Sequence, residues 1–266
     1  MEAVMTVVAV LQARVTSSRL PGKVLKPLLG RPMLLRQLER IGRAEKIDRI
    51  VVATSHEVSD DLLEEVIGAA GYTVYRGNLD NVLDRFYGSV KSLDDDSIAH
   101  VVRLTGDCPL VDPQIIDRVI ESHLQQGNDY TSNVLEPTWP DGLDVEVMTL
   151  KTLYRAHAEA SLPSELEHVT SYIYTHPDSF RIGLVKQADD LSAMRWTVDE
   201  PEDLNFVESV YERLYSDNPN FGMQHILDLL EGEPHLSVVN DNFERNEGLK
   251  KSLKADKAKS NVNQSS

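Results

Sequence analysis

Residues 5–11 form an almost unbroken apolar, β-branched run, which predicts a buried strand. The run empties directly into a polar loop that carries Arg14, Ser17, Ser18, Arg19, Gly22 and Lys23. The period then changes. Over 32–44, Met33, Leu34, Leu35, Leu38 and Ile41 recur at helical spacing, with Pro32 suited to a first turn. A second apolar run over 47–53 predicts a strand, and 59–70 reads as a helix stopped by Gly71. A short strand over 72–75 ends in the turn Arg76-Gly77-Asn78. An amphipathic helix over 80–93 follows through Val82, Leu83, Phe86 and Val90, then a strand over 98–104. That strand runs out into Thr105-Gly106-Asp107-Cys108-Pro109, and Asp112-Pro113 opens the next helix as N-cap and first-turn pair.

Strand–helix alternation of this kind predicts an α/β fold with a mostly parallel central sheet flanked by helices. Beyond Asn128 the pattern loosens. Strand-like pieces at 130–133 and 142–148 surround a loop with Pro137, Trp139 and Pro140. Helices over 150–160 and 165–174, strands over 180–185 and 195–198, and helices over 201–215 and 223–230 complete a domain expected to span 1–239. From about residue 240 the chain turns polar and rich in Lys, Asn and Ser, which predicts a disordered tail over 240–266. There is no internal repeat.

Charge narrows the function. The 266 residues carry a net charge of −16, which argues against a nucleic-acid partner and makes the cations of the opening loop conspicuous. A small anionic ligand fits that contrast better than a polymer. No apolar run reaches the roughly eighteen residues of a membrane span, and the start lacks the marks of a signal peptide. The single cysteine excludes an internal disulfide and a cysteine-based zinc site. A cytoplasmic setting without membrane contact is the expectation.

The opening loop is the first candidate for chemistry. Guanidinium forks and an ammonium at the end of a buried strand can share the oxygens of a multiply charged anion. In open α/β sheets, ligands lie beyond the carboxyl ends of the strands. Neither G-x-x-x-x-G-K-[ST] nor G-x-G-x-x-G is present, so a P-loop ATPase and a dinucleotide dehydrogenase are both disfavoured. Asp107 follows a predicted buried strand and suits Mg²⁺, although a turn aspartate would look the same. Asp199 could join it or serve as a helix N-cap, with Glu202 and Asp203 sharing the capping. Cys108 reads as a small buried residue, and Trp139 and Trp196 as packing residues.

Taken together, these stretches resemble the sugar cytidylyltransferases. The likeness is carried by Gln12-Ala13-Arg14, by Ser17-Ser18-Arg19-Leu20-Pro21-Gly22-Lys23-Val24-Leu25, and by Gly30-Arg31-Pro32-Met33. Val52-Ala53-Thr54-Ser55, Arg76-Gly77, Val82-Leu83-Asp84-Arg85 and Arg103-Leu104-Thr105-Gly106-Asp107-Cys108-Pro109-Leu110 continue it. So do Gly142-Leu143-Asp144-Val145-Glu146, Glu167-His168-Val169-Thr170 and Arg195-Trp196-Thr197-Val198-Asp199. The later motifs are most similar to the spore coat polysaccharide biosynthesis protein F branch. Two positions depart from the octulosonate enzymes, which have glutamine at Thr105 and proline at Gln12.

The resemblance implies a nucleotide-diphospho-sugar transferase-like (Rossmann-like) sheet. It implies transfer of CMP from CTP to a sugar hydroxyl with release of pyrophosphate, for surface polysaccharide synthesis. Arg14, Arg19 and Lys23 would be catalytic, and Gln12, Ala13, Ser17, Arg76, Arg103 and Thr105 would join them in holding the nucleotide. Asp107 and Asp199 would hold Mg²⁺. Tyr130, Asn133, Asp144, Glu146 and His168 fall where this fold builds the sugar pocket, though a histidine such as His168 is more often a satisfied structural group. A homodimer using 128–148 as partner surface is also implied. Two rivals remain open at this point: a glycosyltransferase of the same fold using a nucleotide-sugar, with Asp144-Val145-Glu146 as its nearest D-x-D match, and a non-catalytic nucleotide-binding homologue.

Overall fold

The computed structural model describes residues 5–238 and residue 256. Apart from Asp256, the tail expected over 240–266 lies outside the described residues. In chain order the elements are β1 (Thr6–Gln12), a small hairpin of β2 (Pro27–Leu28) and β3 (Arg31–Pro32), α1 (Met33–Ile41), β4 (Arg49–Ser55) and α2 (Asp61–Ala69). Next come β5 (Thr73–Gly77), α3 (Val82–Lys91), β6 (Ile98–Thr105), α4 (Pro113–Gln126) and β7 (Tyr130–Ser132). Then follow β8 (Glu146–Thr149), α5 (Leu150–Glu159), α6 (Pro163–Glu167), α7 (Ser171–Thr175), β9 (Ile182–Leu184), α8 (Pro201–Leu214) and α9 (Met223–Gly232).

The main strands form one seven-stranded sheet ordered β5-β4-β1-β6-β8-β7-β9, in which only β8 runs against the others. This is the mostly parallel α/β sheet that the alternation predicts. On β1, Val7, Ala9 and Leu11 pack into one apolar layer with α1, α2, α4, α8 and α9. Val8 and Val10 pack into the opposite layer with α3, α5 and α7. Burial on both faces explains why the strand reads as a continuous apolar run rather than an alternating one.

The topology places the site. From β1 the chain winds outward through β4 to β5, then crosses back to β6 on the other side of β1. The carboxyl ends of β1 and β6 therefore flank the point where the winding reverses, with Gln12 beside Thr105. Because β8 is antiparallel to β6, its first residue, Glu146, reaches the same edge opposite Arg103.

The sheet differs from the sequence expectation in three places. Residues 195–198 are extended but form no ladder: their partners are loops, through Trp196 N–H to Asp141 O (2.6 Å) and Val198 N–H to Asp107 O (2.7 Å). Residues 165–174 are two short helices rather than one, because Val169 lies in the left-handed region at φ 57°. For a β-branched residue that conformation costs about 1–3 kcal/mol. It is held by Thr170, whose hydroxyl donates to Glu146 Oε1 (2.6 Å). Finally, the strand expected over 142–148 is confined to β8, which pairs with β7 and β6 within the sheet.

Candidate active site

The loop after β1 is shaped by a few fixed bonds. Val15 N–H donates to Asp60 Oδ1 (2.7 Å), and the other oxygen of this buried carboxylate accepts from Thr54 Oγ1 (2.9 Å) at the end of β4. Gly22 turns the chain at φ 72° and donates its N–H back to Val15 O (3.0 Å), which closes the loop. One 3₁₀ turn over Lys23–Leu25 then directs Lys23 inward. Its ammonium donates to Val198 O (2.7 Å), Asp199 Oδ1 (2.8 Å) and Asp107 Oδ2 (3.3 Å). Burial works against the charge on Lys23, but the Asp107 and Asp199 carboxylates override it and raise its pKa.

Asp107 is placed by a close approach of two loops. A Cβ on Gly106 would come within 2.9 Å of both Ala13 Cβ and Gln12 O, so only glycine lets the β6 loop lie against the β1 loop. Burial pushes the Asp107 carboxyl up, yet the Lys23 ammonium and several hydrogen bonds bring it down to about 2. One of those bonds comes from Cys108, whose thiol donates to Asp107 Oδ1 (3.4 Å). Burial and the neighbouring Asp107 and Asp144 carboxylates push the thiol well up, so it stays protonated and inert.

Asp199 is presented by a clamp. Asp203, fully buried in the first turn of α8, accepts the N–H groups of Asp199 and Glu200 (both 2.9 Å) and so caps the helix. It also takes a two-pronged bond from Arg195 Nε and Nη2 (both 2.9 Å). Capping thus falls to Asp203, and the Asp199 carboxylate is turned toward Lys23, Arg19 (2.9 Å) and Arg195 (3.3 Å). The 195–198 segment is seated by Gly142 (φ 114°), where a Cβ would approach Trp196 C to 2.7 Å.

Two cavities open above this cluster. The larger, about 870 Å³, lies between the β1 loop, the start of α3 and α6, and is lined by Gln12, Ala13, Arg14, Ser17, Arg19, Lys23 and Arg85 among others. The smaller, about 420 Å³, lies over β6 and β8 and is lined by Arg103, Asp141, Asp144, Glu146, Tyr174 and Arg195. Arg19, Thr105, Asp107, His168 and Asp199 line both, so the cavities meet at the two carboxylates.

The profile of the cytidylyltransferase family matches residues 8–221. The chain belongs to that family. It is 34% identical over 232 residues to the spore coat polysaccharide biosynthesis protein SpsF of Bacillus subtilis, covering 85% of this chain and 94% of that one. A cytidylyltransferase structure from Leptospira borgpetersenii superposes with a TM-score of 0.82 at 29% identity, covering 90% of this chain and 98% of that one. A CMP:2-keto-3-deoxy-manno-octonic acid synthetase solved with CTP shares the fold, with a TM-score of 0.59 at 18% identity over 78% of this chain and 99% of that one.

In this cytidylyltransferase most of the residues singled out from the sequence converge. Gln12, Ala13, Arg14, Ser17, Arg19, Lys23 and Thr105 line the larger cavity, while Arg103, Asp144 and Glu146 line the smaller. Three do not reach either one. Arg76 is held by Asp61 (2.6 Å), Glu64 (2.8 Å) and the Ser55 and Glu57 carbonyls, where it ties β5 to the start of α2. Asn133 brackets the neighbouring loop, accepting from Val145 N–H (2.7 Å) and donating to Leu143 O (2.8 Å). Tyr130 is fully buried and donates to Glu146 Oε1 (2.5 Å). That carboxylate also pairs with Arg103 and accepts from Thr170, which leaves it committed to protein partners. Burial opposes the charge on Arg103, and Glu146 raises its pKa in spite of it.

Sequence reasoning assigned no role to Arg195 or Arg85, and gave Asp203 its capping role but not its grip on Arg195. Arg85 had a visible signal: it is a charged residue within the apolar stripe of α3. It is 2% exposed and its Nη1 donates to Asn78 O (3.0 Å), while its Nε has no partner. Burial, then the nearby Arg14, lower its pKa to about 10. Among the described residues neither Arg85 nor Arg14 makes an ion pair with a carboxylate.

The donor set suits Mg²⁺. Among the described residues no group of three or more His, Cys, Asp and Glu could hold a metal. Asp107 and Asp199 nevertheless converge on one cation, the Lys23 ammonium. Two carboxylates completed by phosphate oxygens and water are what Mg²⁺ takes in nucleotide enzymes.

Proposed function

We propose that this cytidylyltransferase transfers CMP from Mg²⁺-bound CTP to a sugar hydroxyl, releasing pyrophosphate, in the supply of a surface polysaccharide. The carrying observation is the junction of the two cavities at Asp107 and Asp199. A nucleotide in the larger cavity, with its phosphates toward the β1 loop, would bring its α-phosphorus to that junction. An acceptor in the smaller cavity would face it in line. The SpsF likeness supports the polysaccharide role, and the fold shared with a synthetase that was solved with CTP supports the nucleotide.

The acceptor oxygen forms a bond to the α-phosphorus while the bond to the bridging oxygen breaks, and its electron pair leaves with pyrophosphate. Arg14, Arg19 and Lys23 neutralise charge on the departing phosphates, and Arg85 adds a fourth cation to the same cavity. His168 lines both cavities and is kept neutral by burial, so its imidazole can receive the hydroxyl proton. When bound, Mg²⁺ supplies Lewis-acid stabilisation of phosphoryl oxygens. Asp107 and Asp199 would hold it. Placement in one cavity wall and one junction is mainly a matter of orientation, which by itself can account for several powers of ten in rate.

A homodimer in the cytoplasm belongs to this reading through the family likeness. No described helix is long and apolar enough to cross a membrane. Pyrophosphate release measured with each of four nucleoside triphosphates against a panel of acidic and neutral sugars, with and without Mg²⁺, tests the reading. CTP with Mg²⁺ should stand out; nucleoside diphosphate release from a nucleotide-sugar would overturn it.

A further inference from the structure

Asp60 is a fully buried acid to which the reaction described above gives no part. It sits one residue before α2, and its carboxylate accepts from neutral donors on two sides. Oδ1 takes Val15 N–H (2.7 Å) from the loop that follows β1. Oδ2 takes Thr54 Oγ1 (2.9 Å), Ser55 N–H (3.1 Å) and the Ser55 hydroxyl, all at the end of β4. A buried carboxylate costs more to desolvate than a neutral side chain of the same shape, and in exchange its hydrogen bonds are charge-assisted. Its two oxygens join one strand end to one loop.

Val15 is where that loop is fastened. Its N–H goes to Asp60, its carbonyl accepts from Gly22 N–H (3.0 Å), and nearby Ala13 N–H donates to Ala53 O (3.1 Å). Arg14, Ser17 and Arg19 lie between these ties, and Lys23 follows Gly22 directly. All four line the larger cavity, whereas Asp60 lines neither cavity. Losing the Asp60 bond would release the middle tie and leave β1 paired with β4 as far as Gln12 and Ala53.

Resting on the function proposed above, we infer that Asp60 is a positioning residue: through Val15 N–H it holds the β1 loop in the shape that receives the triphosphate. It touches the ligand only by way of the loop.

Asp60→Asn separates the two halves of the carboxylate. The amide oxygen is favoured at the Oδ2 position, where three donors converge, which sets the NH₂ against Val15 N–H. The full-length variant should fold, bind CTP with Mg²⁺ about tenfold or more weaker in calorimetric titration, and be cut faster by trypsin between Arg14 and Val15. Thr54→Val removes a donor from Oδ2 alone. It should lower the melting temperature while leaving CTP affinity and the cleavage rate near wild type. An Asp60→Asn chain that does not fold, or that binds CTP as the wild type does, overturns the inference and leaves the nucleotide reading standing. So does an equal loss of CTP affinity in Thr54→Val. A wild-type chain that binds no CTP overturns both.

Discussion

The two cavities are built from the same residue types but stabilised in opposite ways. Around the smaller cavity, Arg103 and Arg195 are satisfied within the protein, so their charges hold the fold as well as line the space. In the larger cavity, Arg14 and Arg85 have no ion-pair partner among the described residues. Arg85, buried there without an ion pair, costs stability until an anion arrives, and that cost becomes selectivity for a highly charged ligand. The Asp107–Lys23–Asp199 cluster stands between the two regimes. It is fully matched as it stands, yet made of groups that phosphates and a metal can rearrange.

The largest effect expected at this boundary is catalytic. Lys23→Met should lower pyrophosphate release on the order of 10²–10³-fold, measured at saturating CTP. Retention of near-normal turnover would detach the cluster from the chemistry. Next comes the satisfied side: Arg103→Met strands Glu146 and should destabilise the protein by about 3–5 kcal/mol in denaturant titration. His168→Gln should reduce kcat by about 10²-fold. Because burial holds the His168 pKa below the ordinary 6.5, the acid limb of the wild-type rate should fall below pH 6.5 and vanish in the variant.

The matched cluster also has a signature in stability against pH. The Asp107 carboxyl, held at about 2 against an ordinary 3.8, contributes stability that is complete above pH 3.8 and lost as pH falls toward 2. Lys23→Met should flatten the slope seen in acid titration of the melting temperature, because it removes the ammonium that holds the carboxyl down. The smallest and most telling effect is at Arg85. Arg85→Met should weaken CTP binding about tenfold while leaving the melting temperature unchanged or raised. Loss of stability comparable to that of Arg103→Met would show that both cavities are matched and would remove the contrast.

Much of this arrangement was open to reading before any coordinates. Strands β1, β4, β5 and β6, and helices α1 to α5, follow from apolar spacing with shifts of up to three residues at their ends, because burial on one or two faces writes a local period. The β1 loop, with Arg14, Arg19 and Lys23, was conspicuous for the same local reason. The short β2–β3 hairpin was missed, since two-residue strands carry no period. The interruption at Val169 was missed too, because a β-branched residue at positive φ is chosen by a contact, Thr170 to Glu146, and not by propensity.

What the sequence by itself determined was the order of elements, the mostly parallel sheet and the identity of the groups at its edge. Tertiary structure decided which of those groups are partners. Lys23 meets Asp107 and Asp199 from 84 and 176 residues away, and Arg76, as strong a candidate on the page as Arg103, is drawn off to Asp61 and Glu64 instead. The reason is range: a hydrophobic period is set by neighbours along the chain, while a charge is committed by whatever the completed sheet places within about 4 Å of it.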